Sequence, residues 1–124
     1  MKVLVCDDDS MTLRTLEFQL KKDGFEVIKT VNGREASKIL ENNYDIDLLI
    51  VDLYMPVMTG LELVTYVRTT LLRETPIIVV SRSNVDDSIN EALELGANAY
   101  ITKPFILEDI SNKVKNILNI NINS

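Results

Sequence analysis

Short runs of apolar residues recur along the chain, and each run is bounded by charged or small residues. Three of them are continuous, over residues 3–6, 48–51 and 77–80. Runs without alternation are typical of strands that are covered on both faces of a parallel sheet. Two further strands are predicted over residues 25–31, where polar residues interrupt the pattern, and over residues 99–102. The polar interruptions place the strand at 25–31 at a sheet edge.

Between the strands, apolar residues recur at helical spacing and predict five helices. These helices are expected to begin at Ser10, Asn32 and Thr59, near residue 85, and at Leu107. Ser10 is interpreted as the cap of the first helix, and Asn32 with Glu35 and Thr59 with Glu62 as further helix starts. The first helix is assigned an inward stripe, which consists of Met11, Leu13, Leu16, Phe18 and Leu20. The third is expected to continue to Leu71, and the fourth to end at Gly96.

Strict alternation of strand and helix indicates right-handed βαβ units and a parallel sheet with helices on both faces. The predicted fold class is therefore α/β. We expect a flavodoxin-like, doubly wound three-layer sandwich with strand order 2-1-3-4-5 and five helices. Residues 1–120 are assigned to one domain, and residues 121–124 to a short tail without a structural signal.

Composition and charge narrow the functional classes. With 124 residues the chain has room for one domain, and no apolar run approaches the length of a membrane span, so we expect a cytoplasmic protein. A net charge of −6 disfavours direct binding of nucleic acid or of anionic lipid. The absence of histidine excludes a Ser-His-Asp triad and His-ligated zinc. The single Cys6 is interpreted as a small buried hydrophobic residue at a strand end.

The predicted strands end at chemically useful side chains. Asp7 and Asp8 follow the first strand, Asp52 the third, Ser81 the fourth and Lys103 the fifth. In the order 2-1-3-4-5 the first and third strands are neighbours, so three carboxylates converge at the carboxyl edge of the sheet. A hard divalent cation such as Mg²⁺ would relieve their mutual repulsion. The alternative is a set of separate capping acids, since the sequence D-D-D-S before a helix is also good capping chemistry.

Four segments resemble the receiver domain of two-component response regulators. They are V-C-D-D-D at 5–9, D-L-Y-M-P-V-M-T-G at 52–60, P-I-I-V-V-S at 76–81 and Y-I-T-K-P-F at 100–105. This resemblance implies a signalling domain, not an enzyme, that takes a phosphoryl group onto Asp52 from a sensor histidine kinase or a phosphotransfer protein. It also implies Mg²⁺ held by Asp8, Asp52 and the backbone carbonyl of Tyr54, with Asp7 acting through water.

The resemblance assigns further roles at the ends of the last two strands. Ser81 matches the switch hydroxyl, Lys103 the phosphate-binding lysine, and Tyr100 the aromatic residue whose rotation reports activation. The Lys103–Pro104 peptide is implied to be cis. The output is implied to reach a downstream protein or effector domain through the face made by the fourth helix, fifth strand and fifth helix.

Some positions depart from the usual pattern of that family. Arg82 stands where a small residue is common, which leaves its role open, and Tyr54 and Ser83 occupy variable positions that tune phosphoryl lifetime. Ala99 and Lys113 stand where DNA-binding members often carry an acid and an arginine. The salt bridges that join the dimer of those members are therefore less expected here.

Other functional readings also account for part of the pattern. A haloacid-dehalogenase-type phosphatase uses a D-x-D-x-[TV] motif, which Asp7 and Asp9 match in spacing while Met11 replaces the expected residue. A pseudo-receiver would keep the fold for binding alone. A flavodoxin that binds FMN is disfavoured, because Asp7 to Asp9 would repel its phosphate.

Overall fold

The computed structural model describes residues 1–82 and 87–120, and its centre is a five-stranded parallel sheet. The strands run in the order β2-β1-β3-β4-β5, as the sequence predicts. Their bounds are β1 Lys2–Cys6, β2 Glu26–Thr30, β3 Leu48–Asp52, β4 Ile77–Ser81 and β5 Ala99–Thr102.

Five helices alternate with the strands and complete the predicted three-layer sandwich. They are α1 Ser10–Lys22, α2 Gly33–Asn42, α3 Gly60–Thr65, α4 Asp87–Leu95 and α5 Leu107–Ile117. The predicted start of the fourth helix near Val85 lies outside the described residues. None of the helices in residues 1–82 and 87–120 is long and apolar enough to cross a membrane.

Two hydrophobic clusters lie on opposite faces of the sheet, and β3 contributes to both. Leu49 and Val51 pack with residues of α2, α3 and α4, whereas Leu48 and Ile50 pack with residues of α1 and α5. Each fully buried aliphatic side chain contributes roughly 1.5–3 kcal/mol relative to its exposed form. Every residue of β3 is buried, including the terminal Asp52. The core therefore holds the end of β3 in a fixed position.

The inward stripe predicted for α1 is partly wrong. Leu13, Leu16 and Leu20 are buried, but Met11 is 69% exposed and Phe18 is 62% exposed. At about 100° per residue, Met11 and Phe18 lie roughly 140–160° around the helix from Leu13. They therefore face solvent, on the side opposite the three leucines.

Side-chain caps fix the starts of α1, α2 and α3. Asp9 caps α1, not Ser10 as predicted: its Oδ1 accepts from the amide of Met11 at 3.0 Å, and its Oδ2 from the hydroxyl of Thr12 at 3.0 Å. Asp9 occupies this position because its backbone is extended there, while Ser10 already has helical geometry. The predicted starts at Asn32 and Thr59 are confirmed, and Thr59 forms a capping box with Glu62.

The third helix is not continuous to Leu71. It changes at its C-terminal end into a π-helical segment, Tyr66–Thr70, where the amide of Leu71 donates to the carbonyl of Tyr66 at 2.9 Å. The hydroxyls of Thr65 and Thr69 donate to the carbonyls four residues before them, and such bonds bend helices. The widened turn was not predicted from the apolar pattern.

Arg68, within this π-helical segment, joins several chain segments at the amino ends of β4 and β5. Its guanidinium donates hydrogen bonds of 2.8–3.1 Å to four acceptors, which are the carbonyls of Arg73, Thr75 and Gly96 and the side-chain oxygen of Asn98. Burial lowers the pKa of Arg68. Gly96 follows the last residue of α4, so the cation also lies at the negative end of that helix dipole.

Cys6 ends β1 and is buried, as predicted. Its Sγ lies 3.4 Å from Sδ of Met55, and burial raises the pKa of its thiol to about 12. The thiol is therefore protonated in the folded protein at neutral pH.

Candidate functional site

Strand register brings three carboxylates together at the carboxyl edge of the sheet. Cys6 of β1 pairs with Val51 of β3, so Asp7 emerges beside Asp52. Oxygen atoms of Asp7, Asp8 and Asp52 lie within 4.8 Å of one another. Asp7 and Asp52 are each 1% exposed, whereas Asp8 is exposed. The cluster predicted from strand order is therefore present.

One oxygen of each buried carboxylate is held by the local backbone. Oδ1 of Asp7 accepts from the amide of Asp9 at 2.9 Å, and Oδ1 of Asp52 accepts from the amide of Tyr54 at 3.2 Å. The amide of Asp7 donates in turn to the carbonyl of Thr30 at 3.1 Å. These bonds orient both carboxylates and leave their Oδ2 atoms facing the centre of the cluster.

Lys103 supplies the positive charge of the cluster. Its Nζ lies 2.9 Å from Oδ2 of Asp7 and 3.5 Å from Oδ2 of Asp52. Within the part of the chain that the structure describes, Oδ2 of Asp7 accepts no well-aligned hydrogen bond, so its contact with Lys103 is ionic. One ammonium group faces three carboxylates and leaves their repulsion only partly compensated.

This imbalance changes the protonation of Asp52. Burial and the charge of Asp7 raise the pKa of Asp52 to about 6, and the charge of Asp8 adds to the effect. Lys103 acts in the opposite direction but does not cancel it. Asp52 is therefore ionised at neutral pH at a cost in free energy.

The donor set fits a hard divalent cation. Carboxylate oxygens at this separation, one buried oxygen without a hydrogen bond and uncompensated negative charge are all features that such an ion would use. The residues able to hold it are Asp7, Asp8 and Asp52.

The ends of β4 and β5 meet next to the carboxylates. Ser81 is fully buried at the end of β4 and pairs with Thr102 of β5. The amide of Lys103 donates to the carbonyl of Ser81 at 2.6 Å. The Lys103–Pro104 peptide is cis, as the resemblance implies.

The connection after Asp52 is shaped by two residues. Gly60 approaches the end of β3 so closely that a Cβ there would lie 2.7 Å from the Cα of Leu53. Val57 has a φ of 72°, in the left-handed region that disfavours a β-branched residue. The turn is therefore held in place by its surroundings, with a glycine where the chain has no room for a side chain.

A hydrogen bond that the sequence did not predict links this connection to α4. The hydroxyl of Tyr54 lies 2.8 Å from the hydroxyl of Ser88. Ser88 is 34 residues away along the chain, and no sequence signal marked it.

Two residues that the sequence analysis named, Tyr100 and Arg82, lie outside the carboxylate cluster. Tyr100 is exposed on β5, with the ammonium of Lys113 5.7 Å from the centre of its ring. Arg82 is exposed and lines a groove together with Lys103. Ser83 lies outside the described residues.

Comparison with known proteins gives a consistent result. A family model for the response regulator receiver domain matches residues 3–115. The transcriptional regulatory protein PrrA of Mycobacterium tuberculosis is 42% identical over 118 residues, which are 94% of this chain and 49% of PrrA. The chemotaxis protein CheY1 of Helicobacter pylori is 37% identical over 123 residues, which are 98% of this chain and 99% of CheY1. The chain thus spans about half the length of PrrA and nearly all of CheY1.

Solved structures agree with this result. A putative response regulator from Chloroflexus aurantiacus superimposes with a TM-score of 0.89 at 33% identity, covering 95% of this chain and 97% of that one. The chemotaxis response regulator CheY4 of Vibrio cholerae gives a TM-score of 0.87 at 31% identity, covering 94% and 97%.

Proposed function

This chain belongs to the response regulator receiver domain family of two-component signalling proteins, and from that premise we propose that Asp52 is its phosphoacceptor. The observation that carries the proposal is the cluster itself. Asp52 is buried at a strand end, beside two further carboxylates and within 3.5 Å of the Lys103 ammonium. A carboxylate in that setting can form an acyl phosphate while neighbouring cations stabilise the transferred charge.

The transfer is a displacement at phosphorus. A carboxylate oxygen of Asp52 attacks the phosphoryl group of a phosphohistidine on a sensor kinase or phosphotransfer protein. The O–P bond forms as the P–N bond breaks, and the imidazole nitrogen leaves with the electron pair and takes a proton from water. Lys103, which contacts Oδ2 of both Asp7 and Asp52 before transfer, is the cation available to the incoming phosphoryl oxygens.

The cluster would hold Mg²⁺ through Asp8, Asp52 and the carbonyl of Tyr54, with Asp7 acting through a water molecule. When bound, the ion supplies charge neutralisation at the transferring oxygens. The fixed orientation of Asp7 and Asp52 by the amides of Asp9 and Tyr54 supports this assignment.

After phosphorylation, Ser81 would donate to a phosphoryl oxygen and Tyr100 would turn inward from its exposed position. The output would then reach a downstream protein or effector domain through the face formed by α4, β5 and α5. The position of Ser81 beside the Lys103 amide supports the coupling, since a backbone hydrogen bond joins the ends of β4 and β5. We place this activity in the cytoplasm, without direct binding to nucleic acid or membrane, in keeping with the net charge of −6.

The test is intact-protein mass after incubation with acetyl phosphate and Mg²⁺. Wild type should gain one phosphoryl mass that is metal-dependent and labile to hydroxylamine, and Asp52→Asn should gain none. Asp45→Asn is the matched control: it removes an exposed carboxylate that contacts Lys2 before β3, and it should be phosphorylated like wild type.

Two outcomes would contradict the proposal. Catalytic release of phosphate without an adduct would indicate a phosphatase of haloacid-dehalogenase type. The use of Asp9 as the α1 cap does not favour that activity, because both of its carboxylate oxygens accept hydrogen bonds from α1. No adduct, together with no response to beryllofluoride, would indicate a pseudo-receiver that uses the fold for binding alone.

A further inference from the structure

A groove of about 520 Å³ opens beside the carboxylate cluster, between the start of α1 and the β5–α5 connection. Two cationic side chains, Arg82 and Lys103, line it, together with Asp9, Thr12 and Phe105. Lys103 also lies 3.5 Å from Oδ2 of Asp52, so the groove borders the carboxylate cluster.

The two cations differ in how far they are engaged. Lys103 is paired with both Asp7 and Asp52. Arg82 is exposed and forms no ion pair or hydrogen bond with any residue in 1–82 or 87–120. Its backbone directly follows Ser81, at the end of the strand that pairs with β3. With respect to the described residues, Arg82 therefore offers an uncommitted guanidinium beside the carboxylate cluster.

An anion that approaches this site meets an unfavourable field. The chain carries a net charge of −6, Asp9 lines the groove, and Lys103 of the groove contacts two of the clustered carboxylates, Asp7 and Asp52. A phosphoryl donor carries about two negative charges at neutral pH. A cation on the path would lower the cost of bringing the donor near, and an arginine can form two parallel hydrogen bonds to phosphoryl oxygens.

We propose that Arg82 is a donor-binding residue, whose guanidinium holds the non-bridging oxygens of the incoming phosphoryl group in the groove before its transfer to Asp52. The inference rests on the proposed phosphoacceptor function and adds a residue to it. Arg82 gives up no proton and forms no covalent bond, so it raises the occupancy of the donor complex and leaves the displacement at phosphorus unchanged. A steric screen at the same position would have the opposite effect, because removing it would speed phosphorylation.

The experiment compares wild type, Arg82→Gln and Arg82→Lys in the rate of phosphorylation by acetyl phosphate with Mg²⁺. Intact mass on quenched samples is the readout, since the chain has no tryptophan to report by fluorescence. At subsaturating donor and low salt, Arg82→Gln should be slower by about five- to tenfold, as expected for loss of one charge-assisted contact. Arg82→Lys should recover most of the rate.

Two features separate donor binding from a general effect. The difference should lie in the donor concentration needed for half-maximal rate, with the same rate at saturation, and it should shrink at about 0.5 M salt because ions screen the exposed cation. Arg14→Gln is the matched control, since it removes an exposed arginine of α1 that does not line this groove. Its rate should equal that of wild type.

A rate for Arg82→Gln equal to or above that of wild type would overturn the inference. So would an equal loss in Arg14→Gln, which would assign the effect to net charge. Failure of the phosphoacceptor proposal looks different, since then wild type gains no adduct at any donor concentration and the inference falls with it.

Discussion

The two ends of the sheet each hold a cluster of polar groups, and the hydrogen-bonding and charge requirements of the two clusters are met in different ways. At the amino ends of β4 and β5, the guanidinium of Arg68 donates five hydrogen bonds to neutral oxygens of the same chain. At the carboxyl ends of β1 and β3, the Lys103 ammonium contacts two of three clustered carboxylates, and Oδ2 of Asp7 lacks a well-aligned hydrogen bond among the described residues. The donors of Arg68 are all satisfied by the protein itself, whereas the charge of the carboxylate cluster is not balanced by it.

The difference separates structural from functional polar groups. A partly buried cation whose donors are all used contributes to stability, while its removal leaves acceptors without that donor. A cluster with excess charge of one sign lowers stability unless a ligand completes it. A cation bound at the carboxyl edge would therefore raise the stability of the folded protein.

The largest effect is expected at the Arg68 cluster. Arg68→Met should lower the free energy of unfolding by about 2–4 kcal/mol, because the three partly buried carbonyls of Arg73, Thr75 and Gly96 lose a charged donor. Urea unfolding measures this change. Arg14→Met, an exposed site, should change it by less than about 0.5 kcal/mol. Equal stability of both variants would show that the Arg68 bonds add nothing.

The carboxylate cluster should respond in the opposite direction. Without metal at pH 7.5, Asp52→Asn should raise the free energy of unfolding by about 1–3 kcal/mol, since one pKa unit corresponds to about 1.4 kcal/mol. The pKa of Asp52 is raised from 3.8 to about 6 in the folded state, so the cost of ionising it is absent below about pH 4 and complete above about pH 6. The gain should therefore shrink towards pH 4.5. A loss of stability at pH 7.5 would contradict this account.

A metal ion should reduce the difference between the two ends, because it would compensate the excess negative charge at the carboxyl edge. Mg²⁺ at ten times its dissociation constant should stabilise wild type by about 1.4 kcal/mol, or roughly 3–6 °C in Tm for a chain of this size. Arg68→Met should show the same increase in Tm on addition of Mg²⁺, from a lower Tm without metal. Asp52→Asn should show a smaller increase. Calorimetry with and without EDTA measures these shifts. An unchanged Tm of wild type at millimolar Mg²⁺ would argue against the metal site.

The smallest effect concerns the link between the carboxyl edge and α4. Tyr54→Phe removes the hydroxyl that bonds Ser88 and should cost about 0.5–1 kcal/mol, the usual net value of one hydrogen bond. Tyr44→Phe is the control, since Tyr44 is highly exposed and contacts Arg73 through its ring. A larger loss for Tyr44→Phe than for Tyr54→Phe would contradict the expected order.

The sequence predicted the sheet and the carboxylate cluster because both follow from local patterns. Continuous apolar runs identify β1, β3 and β4, and the strand order then brings Asp7, Asp8 and Asp52 together. The predicted inward stripe of α1 was wrong at Met11 and Phe18. These residues were included because they are apolar, without regard to their angular position around the helix.

Other features depend on contacts that the local sequence does not encode. The partners of Arg68 lie up to 30 residues away, and the π-helical segment that carries it depends on backbone bonding. The Tyr54–Ser88 bond spans 34 residues. Such contacts are set by how helices pack on the finished sheet, so they become visible only in three dimensions.

The single buried thiol makes the opening of the sheet measurable as a rate of chemical labelling. Cys6 is the only cysteine and directly precedes Asp7, with its sulfur against Met55 of the β3–α3 connection. An alkylating reagent can reach it only after β1 and that connection separate, so the labelling rate reports the free energy of that opening. Slower labelling in the presence of Mg²⁺ or beryllofluoride would measure how much each ligand raises the free energy of this local opening.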